Sequence, residues 1–263
     1  MNGAGNDFIV IDNRFYHFSA DTLVAMAPRI CVRRHGIGAD GLLAMEDPAS
    51  PDAAFRMLYY NADGTEGTMC GNGARCLARF AVSTGMPPGT LKFDTASGPC
   101  TAVVPADQSG VVRLHTSAPD HWRSRQRLAQ AVPGGIHSVH FLWTGTEHVV
   151  CFVDDVSQVP VMAWGRRIRC DKALAPLGAN INFVQVDSPS HLTARTFEKG
   201  VEAETLACGT GAMASALAAR YLGYLTADIA EVAMPGGTLR AGVSEPLFLE
   251  GPAATVYRGT FEL

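Results

Sequence analysis

Two cysteines, Cys70 and Cys208, each open the same short phrase: Cys-Gly-Asn-Gly-Ala at 70–74 and Cys-Gly-Thr-Gly-Ala at 208–212. A glutamate stands four residues upstream of each, Glu66 and Glu204, and a helix-forming run follows. A thiol at a helix start sits beside unpaired backbone N–H groups and the positive end of the helix dipole, which favour a thiolate and hold an anion. Glycine beside the thiol lets the backbone N–H groups of Gly71, Asn72, Gly209 and Thr210 reach a carboxylate with no side chain in the way. Two such devices turned on one substrate take a proton from one face of an α-carbon and return one to the other. The centre inverts, and both helix starts stabilise the enediolate-like carbanion between the two steps. This is two-base epimerase or racemase chemistry that needs neither metal nor pyridoxal phosphate, with the two thiols titrating as a unit.

Other readings of the cysteines are weaker. Cys31, Cys100, Cys151 and Cys170 read as small buried hydrophobes. Cys76 lies six residues beyond Cys70 on the same expected helix, points away from it, and reads as core. A zinc site finds no Cys-x-x-Cys pair and no fitting His spacing. A phosphate loop would need a Lys-Ser or Lys-Thr that neither phrase carries. A binding or redox module, with Cys70 and Cys208 as a switchable disulfide, stays open as the non-enzymatic alternative.

The elements that must position these thiols are mostly strands. Phe8–Ile11, Arg56–Tyr60, Val111–His115, His148–Val153, Ile181–Val186, Thr193–Phe197 and Thr238–Val243 are short, rich in β-formers and separated by Gly, Pro, Asn or Asp. Ala74–Ser83 and Ala212–Leu222 carry apolar residues at helical spacing, and Leu23–Ala27 reads as a short helix cut off by Pro28. The stretch from Ala207 to Leu222, rich in Gly and Ala, reads as a buried amphipathic helix. The order is no regular β-α-β alternation, so the expected class is α+β. Landmarks recur in register. Gly5-Asn6-Asp7 before one strand answers Gly145-Thr146-Glu147-His148 before another, and Gly36–Gly41 answers Gly178–Asn182. The cysteines lie 208 − 70 = 138 residues apart, close to the spacing of the other landmarks. This predicts two pseudo-symmetric domains from internal duplication, dividing near Thr116–Pro119, with their matching loops converging on one cleft.

Composition bounds the partners. With 47% apolar and 17% charged residues the chain builds a substantial core, and a net charge of −4 offers no sequence-wide footprint for nucleic acid. No apolar run reaches the roughly 18 residues of a membrane span. Seven scattered cysteines without a signal peptide point to a reducing cytoplasm.

The longer motifs carry a resemblance. Asn61-Ala-Asp-Gly-Thr-Glu-Gly-Thr-Met-Cys70-Gly-Asn-Gly-Ala-Arg-Cys76 and Glu204-Thr-Leu-Ala-Cys208-Gly-Thr-Gly-Ala closely resemble the two signatures of diaminopimelate epimerases. Gly3-Ala-Gly-Asn6-Asp-Phe, Gly36-Ile-Gly-Ala-Asp40-Gly, Asn180-Ile-Asn-Phe183 and Pro235-Gly-Gly match further family positions in order. The likeness spans essentially the whole chain, and because the family has a few strand residues ahead of the position of Met1, the beginning reads as clipped.

The resemblance implies interconversion of LL- and meso-diaminopimelate without cofactor, a step toward lysine and cell-wall peptide. It implies two similar domains, each a sheet wrapped around a central helix. The domains are expected at 1–116 plus 252–263, carrying Cys70, and 117–251, carrying Cys208. Position by position, Cys70 and Cys208 match the catalytic pair, while Gly71-Asn72 and Gly209-Thr210 match the backbone donors to the reacting carboxylate. His148 and Glu198 match polar residues beside the reacting centre, and Asn6, Asn61 and Asn180 match residues that grip the substrate. Tyr257 matches a dimer contact, implying a homodimer. Lys199 stands where the family has arginine, Thr146 where many members have Asn, and Gly41 where some have Gln. The interval from Gly200 to Cys208 is one residue longer than in many members. Lysine lacks the bidentate fork of arginine, so these departures bear on recognition of the distal carboxylate. They leave open a racemase of the same fold acting on another amino acid, such as histidine or a proline derivative.

Overall fold

Along Ile229–Met234 burial alternates residue by residue, with Ala230, Val232 and Met234 turned inward, as period two requires of a strand with one covered face. Strands of this kind make up most of the computed structural model, which describes residues 1–107 and 109–262. The chain forms two compact units, residues 1–115 with 250 onward, and residues 116–249.

The first unit runs β1 (Asn2–Gly3), β2 (Asn6–Asp12), α1 (Asn13–Tyr16), α2 (Ala20–Cys31), β3 (Gly41–Glu46), β4 (Phe55–Asn61), β5 (Glu66–Gly67), α3 (Gly71–Ser83), β6 (Gly89–Thr95), β7 (Gly98–Val104) and β8 (Val111–His115). Strand β2 lies parallel to β3, β3 antiparallel to β4, and β4 antiparallel to β5 and parallel to β6; β7 then pairs antiparallel with both β6 and β8. Helix α3 is the centre of this sheet: Ala74, Leu77, Ala78 and Ala81 bury against residues from six strands, including Phe8, Leu43, Phe55 and Phe93. Leu42 and Ala44, one pleat out of phase with Leu43, turn to the other face and meet Leu23, Ala27 and Ile30 of α2.

Helix α2 does not stop at Pro28; it continues to Cys31 with Pro28 inside it. The Val24 carbonyl, which a residue other than proline at 28 would have bonded, faces Gly64, where a Cβ would come within 2.7 Å of it. The glycine makes room for that turn. At the other end Ser19 caps the helix, its Oγ accepting from Thr22 N at 3.2 Å.

The second unit runs β9 (Asp120–Arg123), β10 (Ile136–Trp143), β11 (Glu147–Val153), α4 (Val161–Arg169), β12 (Asn180–Ser188), β13 (His191–Glu198), β14 (Ala203–Thr205), α5 (Gly209–Tyr221), β15 (Ile229–Met234) and β16 (Gly237–Gly242), and β17 (Phe248–Pro252) then leads the chain back into the first. Its pairings repeat those of the first unit. Strand β11 is parallel to β12, β12 antiparallel to β13, β13 antiparallel to β14 and parallel to β15, and β15 antiparallel to β16. Helix α5 takes the central place, buried at every position from Gly211 to Ala219. It is therefore buried all round rather than amphipathic, with the polar Ser215 satisfied by donating from Oγ to Gly211 O. Helix α4 covers the outer face, with Val161 and Ile168 packed beside Ile181, Phe183 and Phe197.

From Glu250 onward, in the first unit, Glu250 pairs with Arg113 at 2.7 Å, Ala253 N donates to Gly110 O at 2.7 Å, and Asn2 and Ala254 exchange backbone bonds at 2.8 and 2.9 Å. Cys31, Cys76 and Cys151 are buried and Cys100 is half-buried against the core of the first unit, but Cys170 at the end of α4 is exposed, so the core reading fails for Cys170 alone of these five. Among the described residues no helix is long and apolar enough to cross a membrane.

Candidate active site

Cys70 and Cys208 are the N-cap residues of α3 and α5, both in extended backbone conformation (φ −138°, ψ 114° and φ −118°, ψ 108°), and neither side chain caps its helix. The first-turn N–H groups are thus left as donors for an anion. Each unit has built its own network around its thiol.

In the first unit Asn72 Nδ2 donates to Asn6 Oδ1 at 2.5 Å, and Asn6 Nδ2 donates to Asp40 Oδ2 at 3.0 Å. Arg33 clamps Asp7 and Asp40 together at 2.7–2.9 Å. Burial alone would raise Asp7, but the Arg33 guanidinium overrides it and holds the carboxyl below its usual range. Asn61 is fixed by Tyr59 Oη donating to its Oδ1 at 2.8 Å and by its own bond to Thr65 Oγ1 at 3.0 Å. Gly41 faces Asn61 across the β3–β4 pairing, and a Cβ there would meet the Tyr59 ring and Tyr60 O at 2.7 Å. Tyr59 occupies the space that a longer residue at 41 would need.

Arg75 escaped the sequence reading. It is fully buried in α3, donates from Nη2 to Asn72 Oδ1 at 2.6 Å, and its Nε and Nη1 have no hydrogen-bond partner among the described residues. Burial pushes its pKa down to about 10, with the neighbouring Cys76 and Cys70 acting the other way. It still carries its charge at neutral pH, and a buried cation near Cys70 favours negative charge there. The available signal was an arginine set among the small and apolar residues Gly73, Ala74, Cys76, Leu77 and Ala78 of the helix.

The second unit gathers Cys208, Gly209, Thr210, His148, Asn180, Glu198 and Lys199 at one end of its sheet. Thr144 Oγ1 donates to Thr210 O at 3.0 Å, and Thr210 Oγ1 lies 3.6 Å from Cys208 Sγ. Gly211 presses on Asn182: a Cβ there would overlap Asn182 Oδ1 and lie 3.2 Å from Cys208 Sγ. Asn182, unnoticed in the sequence, accepts from Thr196 Oγ1 at 2.9 Å and donates from Nδ2 to Val149 O and His148 Nδ1, both at 3.1 Å. With an N–H2 group facing it, His148 Nδ1 is the acceptor, so the hydrogen sits on Nε2. That Nε2 is buried with no partner among the described residues. Burial first, and then the positive charge of Lys199, push the His148 pKa down to about 3, so the ring is neutral.

Glu198 Oε2 accepts from Thr205 Oγ1 at 2.8 Å. Asn180 spends both ends of its amide on backbone: Oδ1 accepts from Lys199 N at 2.9 Å and Nδ2 donates to Glu147 O at 3.2 Å. It holds two neighbouring segments in place. Lys199 Nζ in turn bonds Glu147 Oε2 at 2.5 Å. Tyr257 is exposed.

A family model described as diaminopimelate epimerase matches residues 1–122 and 141–256. A diaminopimelate epimerase of Chlorobaculum tepidum is 44% identical over 269 residues, covering 100% of both chains. One from Methanocella arvoryzae is 40% identical and covers 100% of this chain and 95% of its own. Among solved structures, a phenazine biosynthesis protein of Bacillus anthracis, PhzF family, superposes with a TM-score of 0.69 at 16% identity, covering 95% of this chain and 91% of its own. A hydroxyproline epimerase from Agrobacterium vitis, with bound trans-4-hydroxy-L-proline, gives 0.63 at 15%, covering 95% and 86%. The structural likenesses share the fold.

Proposed function

This chain belongs to the diaminopimelate epimerase family, and from that premise we propose that it interconverts LL- and meso-diaminopimelate through Cys70 and Cys208. The single observation that supports the pair is that both cysteines occupy the N-cap positions of the central helices of the two repeated units, with neither side chain spent on the first-turn N–H groups.

One cysteine enters as thiolate and takes the α-proton, and the electron pair left behind spreads into the adjacent carboxylate as an enediolate. The N–H groups of Gly71 and Asn72, and of Gly209 and Thr210, are suited to carry that charge. The other cysteine, entering as thiol, returns its proton to the opposite face. One thiol and one thiolate leave the cycle exchanged, and the reverse direction uses them in swapped roles. The chemistry draws on the chain's own side chains alone.

In this reading neutral His148, its Nε2–H without a partner among the described residues, donates to the anion at the reacting centre, and Glu198, which already accepts from Thr205, orients a thiol or accepts from the α-ammonium. The reaction lies on the route to lysine and cell-wall peptide, and a reducing cytoplasm keeps both thiols in working form.

The test follows hydrogen at the α-carbon. In deuterated water the enzyme should place deuterium on the α-carbon of LL-diaminopimelate while forming the meso isomer. Cys70→Ser and Cys208→Ser should each lower turnover by about 10²–10⁴-fold. Undiminished turnover in both variants would leave the pair without a role.

A further inference from the structure

Glu147 and Lys199 form a half-buried ion pair beside His148, Glu147 at the start of β11 and Lys199 just past the end of β13, two strands with β12 between them, and the details of its bonding are asymmetric. Glu147 Oε2 takes both of the side chain's bonds, from Lys199 Nζ at 2.5 Å and from Thr146 Oγ1 at 3.2 Å. Oε1 has no hydrogen bond among the described residues, and Lys199 spends only one of its three N–H donors. The side chains keep 19% and 25% of their surface exposed, so a ligand can reach both. Asn180 fixes the backbone of both residues with one amide, so neither charge drifts from the other. Burial would raise the Glu147 carboxyl, but the Lys199 ammonium, its own backbone N–H and the Thr146 hydroxyl together outweigh it and hold the carboxyl below its usual range.

A carboxylate held against an ammonium, each with bonding capacity left, complements a ligand end that carries the same two groups in reverse. The geometry points to Glu147 as a specificity residue: its Oε1 takes the ammonium of the substrate's distal amino-acid group while Lys199 takes the distal carboxylate. The ion pair need not open, because the four charges close head to tail. A ligand bearing only the carboxylate would gain Lys199 but meet repulsion from Glu147, and a ligand bearing only the ammonium would suffer the converse. A lone lysine at this position could not make that distinction. This inference rests on the reaction proposed above and says which end group the site selects.

The test compares LL-diaminopimelate, L-2-aminopimelate (no distal ammonium) and L-lysine (no distal carboxylate) by α-proton exchange in deuterated water. Wild-type enzyme should favour diaminopimelate over both analogues in kcat/KM. Glu147→Gln, which keeps shape and removes charge, should raise KM for diaminopimelate by about ten- to a hundredfold, the effect of one charge-assisted bond, with kcat nearly unchanged. The same variant should narrow the preference for diaminopimelate over 2-aminopimelate by a similar factor. A wild-type enzyme that handles 2-aminopimelate as well as diaminopimelate overturns the inference whatever the variant does. So does a variant that lowers kcat on all substrates alike with KM unchanged, since Glu147 would then act through His148. Wild-type enzyme that exchanges none of the three overturns the reaction itself, and this inference with it.

Discussion

His148 is held neutral by its surroundings, and that has a thermodynamic signature independent of catalysis. Its pKa in the folded chain lies at about 3, pushed there by burial and then by Lys199, against roughly 6.5 when unfolded. Between those values the unfolded chain binds a proton that the folded chain refuses, so stability rises with pH across the window and is lost as pH falls through it. His148→Gln keeps a neutral polar group and deletes the titration. Denaturant melts at pH 4.5, 5.5 and 6.5 should therefore show a shallower dependence in the variant, by up to about 1.4 kcal/mol per pH unit. Comparing slopes removes any constant penalty from repacking beside Asn182, and equal slopes in the two proteins would mean that His148 is not the buried neutral group described.

At the scale of the helix starts, two glycines with the same motif position have different physical duties. A Cβ on Gly71 would touch only Leu114 Cδ2 at 3.8 Å, whereas one on Gly211 would overlap Asn182 Oδ1. Gly71→Ala should leave the melting behaviour intact yet depress diaminopimelate turnover, because the methyl enters the space proposed for the carboxylate. Gly211→Ala should destabilise by about 1–3 kcal/mol, as overpacking does, and disturb the Asn182–His148 contact as well. A fully active Gly71→Ala enzyme would count against the anion role of that helix start. The same contrast shows what sequence can carry. Helices α3 and α5 were legible because the cysteine phrases sit directly ahead of helical apolar spacing. Helix α4 was not, because Gly165 breaks its pattern, and that glycine is explained only by the Phe197 side chain lying where its Cβ would be. Strands β1, β3, β5, β6, β7, β9, β10, β14, β15 and β17 also lay outside the expected set; Pro99 in β7 and His137 and Ser138 in β10 blur the alternation that marks a strand. Cys70 and Cys208 could be singled out from their own phrases, His148 and Glu198 only from the family likeness. Arg75, Asn182 and Glu147 could not, since burial and partners brought by other strands give them their chemistry.

Across the whole chain, the repeated order of strand pairings in the two units is far clearer than any likeness between their residues. A core asks only for apolar side chains of about the right volume at the right period, so two copies can drift apart everywhere except where the backbone must meet a ligand. The asymmetry between them lies in how each is closed. Residues 116–249 are continuous, while the first unit is completed by the segment from Glu250 onward: Glu250 on Arg113, Ala253 on Gly110, and Asn2 against Ala254. Nothing in the periodicity of residues 250–262 announces this return, which only the family likeness implied. Removing the segment deletes three backbone hydrogen bonds and an ion pair whose carboxylate is nearly buried, a loss of about 3 kcal/mol or more at roughly 1 kcal/mol per bond. Such a loss is a large fraction of the stability of a domain this size. A fragment of residues 1–115 should therefore melt weakly or without cooperativity, whereas the same fragment joined through a short Gly/Ser linker to residues 250–262 should recover a sharp transition. The partners 113 and 250 are hydrogen-bonded neighbours, so a short linker spans the gap. Circular dichroism melts decide the matter: matching midpoints for the two fragments would show that the returning segment is a passenger on a unit already complete.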